Sequence, residues 1–203
     1  PHHPHALPRE IAQDLQPERI PLPRYREGEL EDKPPFFMDV YKGRWNKDHP
    51  LHGAFAMAGQ GFDTYRYDEV KEEDARLGRA FYYRMVELID RAVGDILRKL
   101  EERGLADDTI VVFTTDHGEL LGDHGIWMKG PFHYEPLINV PFIIRWKNRL
   151  NPGRAASDLF SLVDLAPTLL SLCGIEPPPD MDGLDFSGVL LEGKPSPRQA
   201  ALV

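Results

Sequence analysis

The apolar positions along the chain follow two kinds of pattern. Between residues 68 and 103 apolar side chains recur every three or four positions, which predicts an amphipathic helix; they are Phe81, Met85, Leu88, Ala92, Ile96 and Leu100. Gly104 follows the last of them, as expected where a helix ends. The short β-branched run from Thr109 to Phe113 predicts a buried strand. Helix, turn and strand in this order predict an α/β unit with the helix on one face of a sheet.

Two further elements are predicted after the first strand. A second strand lies near residues 140–146, where Pro141 indicates a strand start or an edge position. A helix follows with Asp164 as its N-cap, Pro167 in its first turn and Gly174 just past its end. Capping accounts for Asp164, so no catalytic role is assigned to it. The predicted fold class is α/β, with a largely parallel sheet sandwiched by helices.

The first third of the chain differs from the rest in amino-acid composition. Residues 1–67 are rich in proline, aromatic and charged side chains, and their prolines remove N–H donors and fix φ. This pattern predicts a loop-rich surface excursion with a short helix near Trp45, ahead of an α/β portion at residues 68–203. Such an excursion is either a binding wall or lid, or a plain connection.

Composition limits the classes of function. The 203 residues are 41% hydrophobic and 28% charged, which is typical of a packed globular protein. The net charge of −9 argues against nucleic acid as a partner. No stretch approaches the roughly 20 apolar residues that span a bilayer. A single cysteine, Cys173, excludes an internal disulfide and leaves both a periplasmic or secreted and a cytoplasmic location open.

Polar side chains stand just after the first predicted strand. Asp116 and His117 lie where ligands bind in open α/β sheets. A carboxylate beside an imidazole suits a divalent metal, although a strand-end turn closed by Asx hydrogen bonds is the alternative. Lys129 follows one loop later and can return a positive charge to the same place. Metal and lysine together predict an anionic substrate.

Residues 114–129, which read TTDHGELLGDHGIWMK, closely resemble the sulfatase branch of the alkaline-phosphatase superfamily. The resemblance continues through residues 130–135, 140–146, 163–170 and 181–183. At the other end, Pro1-His2-His3-Pro4 resembles the Pro-His-x-Pro element that brings a histidine to the sulfate in this family. The motifs occur in the family's own order over most of the chain, which makes the resemblance specific.

The resemblance implies hydrolysis of sulfate monoesters, with a small-molecule or carbohydrate sulfate ester as substrate. Asp116 and His117 would bind the metal, which in this family is usually Ca²⁺, with Mn²⁺ or Mg²⁺ as alternatives. Lys129 would contact the sulfate and the leaving oxygen. His2 would bind the sulfate and act as general acid, and His3 replaces it if the register differs by one residue.

Other side chains near these motifs are expected to have supporting roles. His124 and His133 lie in the motif region. They are predicted to stabilise its turns, or to contact the ligand-binding residues and not the ligand itself. Glu119 is a candidate for orienting the neighbouring imidazole. Tyr82 and Tyr83 are interpreted as ordinary aromatic residues of the long helix.

Two family motifs do not occur in the sequence: the strand ending in paired metal-binding aspartates, and Cys-x-Pro-x-Arg or Ser-x-Pro-x-Arg, whose first residue becomes formylglycine. The chain is therefore interpreted as part of one sulfatase catalytic domain, without its N-terminal part and C-terminal subdomain, and as inactive alone. Two alternatives stay open: a phosphonate monoester or phosphodiester hydrolase of the same superfamily, and a non-catalytic remnant. The sequence does not indicate an oligomeric state.

Overall fold

The computed structural model of the protein describes residues 1–2, 5–44 and 66–201. The helices are α1 (Arg9–Ala12), α2 (Pro35–Tyr41), α3 (Glu72–Glu102), α4 (Glu135–Ile138), α5 (Leu165–Leu172) and α6 (Ser187–Glu192). The strands are β1 (Val111–Thr114) and β2 (Phe142–Arg145). Short 3₁₀ turns occupy Pro17–Arg19, Tyr67–Glu69, Asp123–Gly125 and Leu162–Asp164. His3 and the short helix predicted near Trp45 lie outside the described residues.

The chain divides into two compact units. The first comprises Pro1–Arg98 and His117–Val140, and the second comprises Lys99–Asp116 and Pro141–Val203. The assignment of residues 1–203 to part of one catalytic domain stays a prediction. Within the described ranges, none of the helices combines the length and the apolar content needed to cross a membrane.

The long helix forms where its periodicity predicts it. Helix α3 ends as expected, because Gly104 adopts a left-handed conformation at φ +67° and the N–H of Leu105 donates to the carbonyl of Leu100 at 2.9 Å. Its apolar stripe is less buried than predicted. Ile96 is 59% exposed, whereas the buried side chains of the helix are Ala75 and Ala80.

Strands β1 and β2 pair in an antiparallel arrangement, with Val112 opposite Ile144. The sequence predicts a largely parallel sheet, and this one pair of strands is antiparallel. Parallel neighbours are usually joined by a crossover helix, and the only α-helix between these two strands in the described structure is the four-residue α4. The larger sheet sandwiched by helices stays a prediction. Pro141 directly precedes β2, in agreement with the predicted strand start.

The first unit builds its core from segments that were predicted to be a surface loop. Leu30 and Val40 are 1% and 4% exposed, and they join Tyr67, Leu120, Ile126, Phe132 and Leu137 in one cluster. Pro35 does not break a helix here but begins α2, because a proline at the first helical position lacks only an N–H that would be unsatisfied anyway. The excursion therefore packs beneath the motif residues that follow α3.

A close backbone contact joins the motif residues to α4. The N–H of Gly118 donates to the carbonyl of Leu137 at 2.9 Å. A Cβ on Gly118 would lie 1.8 Å from the carbonyl oxygen of Pro136, much closer than any real contact. The glycine of the Asp-His-Gly run is therefore required because α4 passes directly over its α-carbon.

Asp164 organises the second unit around α5. Its carboxylate accepts hydrogen bonds from the backbone N–H of Ser161 at 2.9 Å and of Leu184 at 2.8 Å. Arg198 donates to both carboxylate oxygens, through Nε at 2.7 Å and through Nη2. Burial would raise the pKa of Asp164, but the hydrogen bonds from Arg198 and from the two backbone groups outweigh it, so the pKa lies below its ordinary value.

This finding corrects the expectation that capping fully explains Asp164. The side chain makes no capping bond to α5, and instead completes a capping box with Ser161 at the preceding 3₁₀ turn. The remaining bonds reach residues that are distant in sequence. Asp164 is thus the centre of a buried ion pair that ties α5 to the chain beyond it.

Replacing Asp164 with asparagine is expected to lower the free energy of unfolding by about 3–5 kcal/mol, because the largely buried Arg198 loses its counter-charge. Chemical denaturation of the 203-residue chain measures the change. Asp180→Asn, at an exposed aspartate, is the matched control and should leave stability within about 0.5 kcal/mol. Because the folded-state pKa of Asp164 is lowered, its contribution is complete above the ordinary value of about 3.9 and is lost as the pH falls through the folded-state value. Equal acid sensitivity of the parent and the Asp164 variant would contradict this assignment.

Replacing Gly118 with alanine is expected to destabilise the first unit by about 1–3 kcal/mol, because the new methyl group forces the α4 backbone away. Gly94→Ala is the control, since a Cβ there meets nothing within 4 Å and the position lies inside α3. That variant should raise stability by up to about 1 kcal/mol, as alanine is the better helix former. Thermal unfolding compares the two variants, and similar changes in both would refute the close contact.

Candidate active site

The segment from His117 to Gly130, here called the motif loop, bends back on itself. Its backbone is left-handed at Leu121, Gly122, His124, Gly125, Met128 and Gly130. Two backbone hydrogen bonds close it: the N–H of Leu120 donates to the carbonyl of Met128, and the N–H of Gly122 donates to that of Ile126, both at 3.1 Å. Left-handed non-glycine residues carry strain and cluster at functional sites. The consequence of this path is that the end of the loop returns to its beginning.

Helix α3 holds the motif loop from one side. The guanidinium of Arg79, only 12% exposed, donates to the carbonyl of Leu121 at 3.1 Å and to Asp123 Oδ1 at 3.0 Å. Gly78 leaves room for the indole of Trp127, because a Cβ there would lie 3.2 Å from the ring. The loop is therefore tied to the most regular element of the unit by a charge-assisted bond and by an aromatic contact.

The returning loop places Lys129 beside His117. The ammonium nitrogen of Lys129 lies 2.8 Å from Nε2 of His117 and 3.4 Å from Nε2 of His2. The two imidazole rings are 6.3 Å apart, centre to centre. Lys129 and His117 are half-buried, whereas His2 is exposed. Three of the four site residues that the sequence indicates thus come together within the first unit.

The ring of His117 has a defined orientation. Its Nδ1 lies 2.7 Å from the carbonyl oxygen of Gly118 and so donates its proton there. Nε2 then carries the lone pair, which accepts the hydrogen bond from the Lys129 ammonium. The carbonyl of Gly118 thus takes the orienting role predicted for Glu119, whose carboxylate accepts from the N–H of Leu121 at 3.4 Å. Burial raises the pKa of Glu119 despite its backbone hydrogen bonds.

Asp116 belongs to the second unit, where it is exposed and accepts a hydrogen bond from the Thr115 hydroxyl at 3.2 Å. Among the described residues, no three histidine, cysteine, aspartate or glutamate side chains gather into a set that could hold a metal ion. The chain offers Asp116 and His117 as two candidate ligands, and their role stays a prediction.

The remaining histidines and tyrosines of interest are placed as follows. His124 stacks on Tyr134, with ring centres 3.8 Å apart and planes 7° from parallel. His133 is exposed. Tyr82 packs edge-on against His5, and burial raises its pKa, while Tyr83 is 38% exposed on the helix surface. The role of His124 as a turn residue therefore has a physical basis in its packing.

Sequence reasoning missed Arg79 and Glu29 as partners of the motif loop. Glu29 lies 3.0 Å from Nδ1 of His124, and the two residues are 95 positions apart. Arg79 is one of several arginines on the same helix. No local signal distinguishes either residue, because both contacts form only once the excursion and α3 pack around the loop.

Comparison with known proteins bears on this arrangement. The sulfatase family model matches residues 45–175, which is more than half of the chain. An N-acetylglucosamine-6-O-sulfatase of Bacteroides thetaiotaomicron is 40% identical over 139 residues, which cover 68% of this chain and 23% of that protein. A multifunctional alkaline phosphatase superfamily protein of Trinickia caryophylli is 34% identical over 151 residues, or 73% of this chain and 28% of that protein.

The fold of the chain is also similar to that of a solved structure. The phosphonate monoester hydrolase of Agrobacterium radiobacter superposes with a TM-score of 0.74 at 28% identity, covering 98% of this chain and 38% of that one. The chain thus spans less than two fifths of the length of each of these three proteins. The family-model match, together with the order of the motifs, shows that the chain belongs to the sulfatase family.

Proposed function

We propose that this chain supplies the anion-holding part of an enzyme that hydrolyses sulfate monoesters, with a divalent metal and a formylglycine nucleophile. The observation that carries the proposal is the position of the Lys129 ammonium, 2.8 Å from His117 and 3.4 Å from His2. The similarity to an N-acetylglucosamine-6-O-sulfatase favours a sulfated carbohydrate as substrate, with aryl sulfates as the alternative.

The chemistry of sulfate ester hydrolysis matches these groups. The transferred group carries its charge on peripheral oxygens, so catalysis depends on positioning and on charge stabilisation, as in phosphoryl transfer. A lysine ammonium is a compact point charge suited to a tetrahedral oxyanion. His2 lies on the exposed side of Lys129, where its imidazole can donate a proton to the leaving oxygen as general acid.

Two side chains of this chain could contribute to a divalent metal site, to which further ligands would have to be added. Nδ1 of His117 donates to the carbonyl of Gly118, so Nε2 keeps its lone pair, which accepts the Lys129 ammonium in this structure. A bound metal would take this lone pair in place of the ammonium, which would then be available to the anion. Asp116 and His117 would hold the metal, for which Ca²⁺ is proposed first and Mn²⁺ or Mg²⁺ as alternatives. When bound, the metal would supply positive charge that polarises the sulfuryl oxygens.

The proposed nucleophile lies outside this sequence. No Cys-x-Pro-x-Arg or Ser-x-Pro-x-Arg occurs in the 203 residues, and the paired aspartates of the family do not occur either. We therefore propose that formylglycine and further metal ligands come from a segment that this chain does not contain. On this basis the chain alone binds the anion but does not turn substrate over.

A second candidate function is hydrolysis of phosphonate monoesters or phosphodiesters. It is favoured by the structural similarity to the Agrobacterium radiobacter enzyme, which extends over 98% of the chain. The lysine and the two imidazoles would serve either anion, because sulfate and phosphonate esters share a tetrahedral arrangement of oxygens. The distinction therefore has to be made with substrates.

Lys129→Ala is expected to weaken binding of inorganic sulfate about tenfold or more, because a charge-assisted hydrogen bond is lost. Isothermal titration of the 203-residue chain at low ionic strength measures the affinity. Lys129→Arg, which keeps the charge, should retain part of it. Lys71→Ala removes an exposed lysine at the start of α3 and should change nothing. If Lys129→Ala and Lys71→Ala bind sulfate equally well, Lys129 is not the anion-binding residue.

Two activity assays test the rest of the proposal. The 203-residue chain should show no turnover of an aryl sulfate, and robust turnover would contradict a nucleophile supplied from elsewhere. A longer protein that contains this chain should show a higher kcat/KM for a sulfate monoester than for a phosphodiester or a phosphonate monoester. The opposite ranking would support the second candidate function.

A further inference from the structure

A cluster of three side chains joins the motif loop to the excursion and to the residue that precedes α4. It consists of Glu29, His124 and Tyr134, and is here called the His124 clamp. The rings of His124 and Tyr134 stack at 3.8 Å, and Nδ1 of His124 lies 3.0 Å from Oε1 of Glu29. The carboxylate of Glu29 is 16% exposed and the imidazole of His124 is 31% exposed, so the contact is largely shielded from water.

The backbone of His124 is strained, which indicates that its surroundings hold it in place. Its φ is +58°, in the left-handed region that costs energy for any residue with a Cβ. Its backbone N–H donates to the carbonyl of Arg24 at 2.7 Å, so the excursion holds the main chain while Glu29 holds the side chain. Such a conformation persists only where several contacts determine it together.

A continuous set of bonds leads from the clamp to the ring of His117. The carbonyl of Tyr134 accepts the N–H of Leu137 at 2.8 Å and so begins α4. The carbonyl of Leu137 accepts the N–H of Gly118 at 2.9 Å, and the carbonyl of Gly118 accepts the proton on Nδ1 of His117 at 2.7 Å. These bonds connect the clamp to the α4 turn, and the turn to the backbone of Gly118.

We propose that the His124 clamp is a positioning device for His117, which acts through α4 and the Gly118 peptide to keep the imidazole in the tautomer whose Nε2 carries the lone pair. The polar contacts of Lys129 in the described structure are to His117 and His2, and the residues of the clamp are positioning residues. This inference deepens the proposed function, since it explains how the nitrogen that faces Lys129 is kept as an acceptor.

The test uses two readouts that need neither sulfate nor metal. Long-range ¹H–¹⁵N spectra of the imidazole groups report the tautomer of His117, recorded at a pH well above the ordinary histidine range. Amide hydrogen exchange of Gly118 reports its bond to Leu137. A failure of sulfate binding in the separate titration leaves both readouts intact, so the two proposals fail independently.

His124→Ala removes the stack and the bond to Glu29. We expect a second tautomer signal from His117, and Gly118 exchange faster by roughly two- to tenfold, which corresponds to the loss of an aromatic pair. His124→Phe keeps the stack and should preserve most of the parent pattern. His133→Ala, at an exposed histidine next to Tyr134, is the matched control and should change neither readout.

Unchanged spectra and exchange in a folded His124→Ala protein would overturn the proposal. If that variant does not fold, as judged by circular dichroism, two substitutions of Tyr134 decide instead. Tyr134→Phe keeps the stack and should resemble the parent, whereas Tyr134→Leu removes it and should release His117. Identical His117 spectra in these two variants would equally overturn the proposal.

Discussion

The candidate site depends on the hydrogen bond between the Lys129 ammonium and Nε2 of His117. These residues stand at opposite ends of the motif loop, so the contact exists only because the loop returns on itself through five left-handed residues between them. Two of the non-glycine residues, Leu121 and Met128, pay an energetic cost for that path. The hydrogen bonds that Arg79 donates from α3 to the loop offset this cost.

The electrostatics of the site are local. The chain carries a net charge of −9, so its overall field does not attract a sulfate ester. Positive potential arises instead from the half-buried ammonium of Lys129, which two imidazole nitrogens contact. Partial burial strengthens the electrostatic attraction between such a charge and an anion, because the surrounding dielectric constant is lower than that of water. The proposed anion site of this acidic protein therefore depends on groups that converge locally.

A polar residue can lie in a family motif without contacting a ligand. Asp164 lies in a run that resembles the family, and its carboxylate is fully used by Arg198 and by backbone N–H groups. Gly118 shows the same point for the backbone: it is required because Pro136 passes over its α-carbon. Structural demands of this kind account for part of the motif, and the proposed anion binding would account for another part.

The sequence by itself determined the elements that depend on local chemistry. Periodicity located α3, Gly104 marked its end, and the apolar runs located both strands, because side-chain spacing and turn residues act within a few positions. The motif order also led to the sulfatase family and to His2, His117 and Lys129 as neighbours. The tertiary structure alone decided how β1 and β2 pair, that the proline-rich excursion fills a core, and that the carbonyl of Gly118 orients the imidazole. These features arise from contacts between segments that are distant in sequence, and no local pattern records which segments will meet.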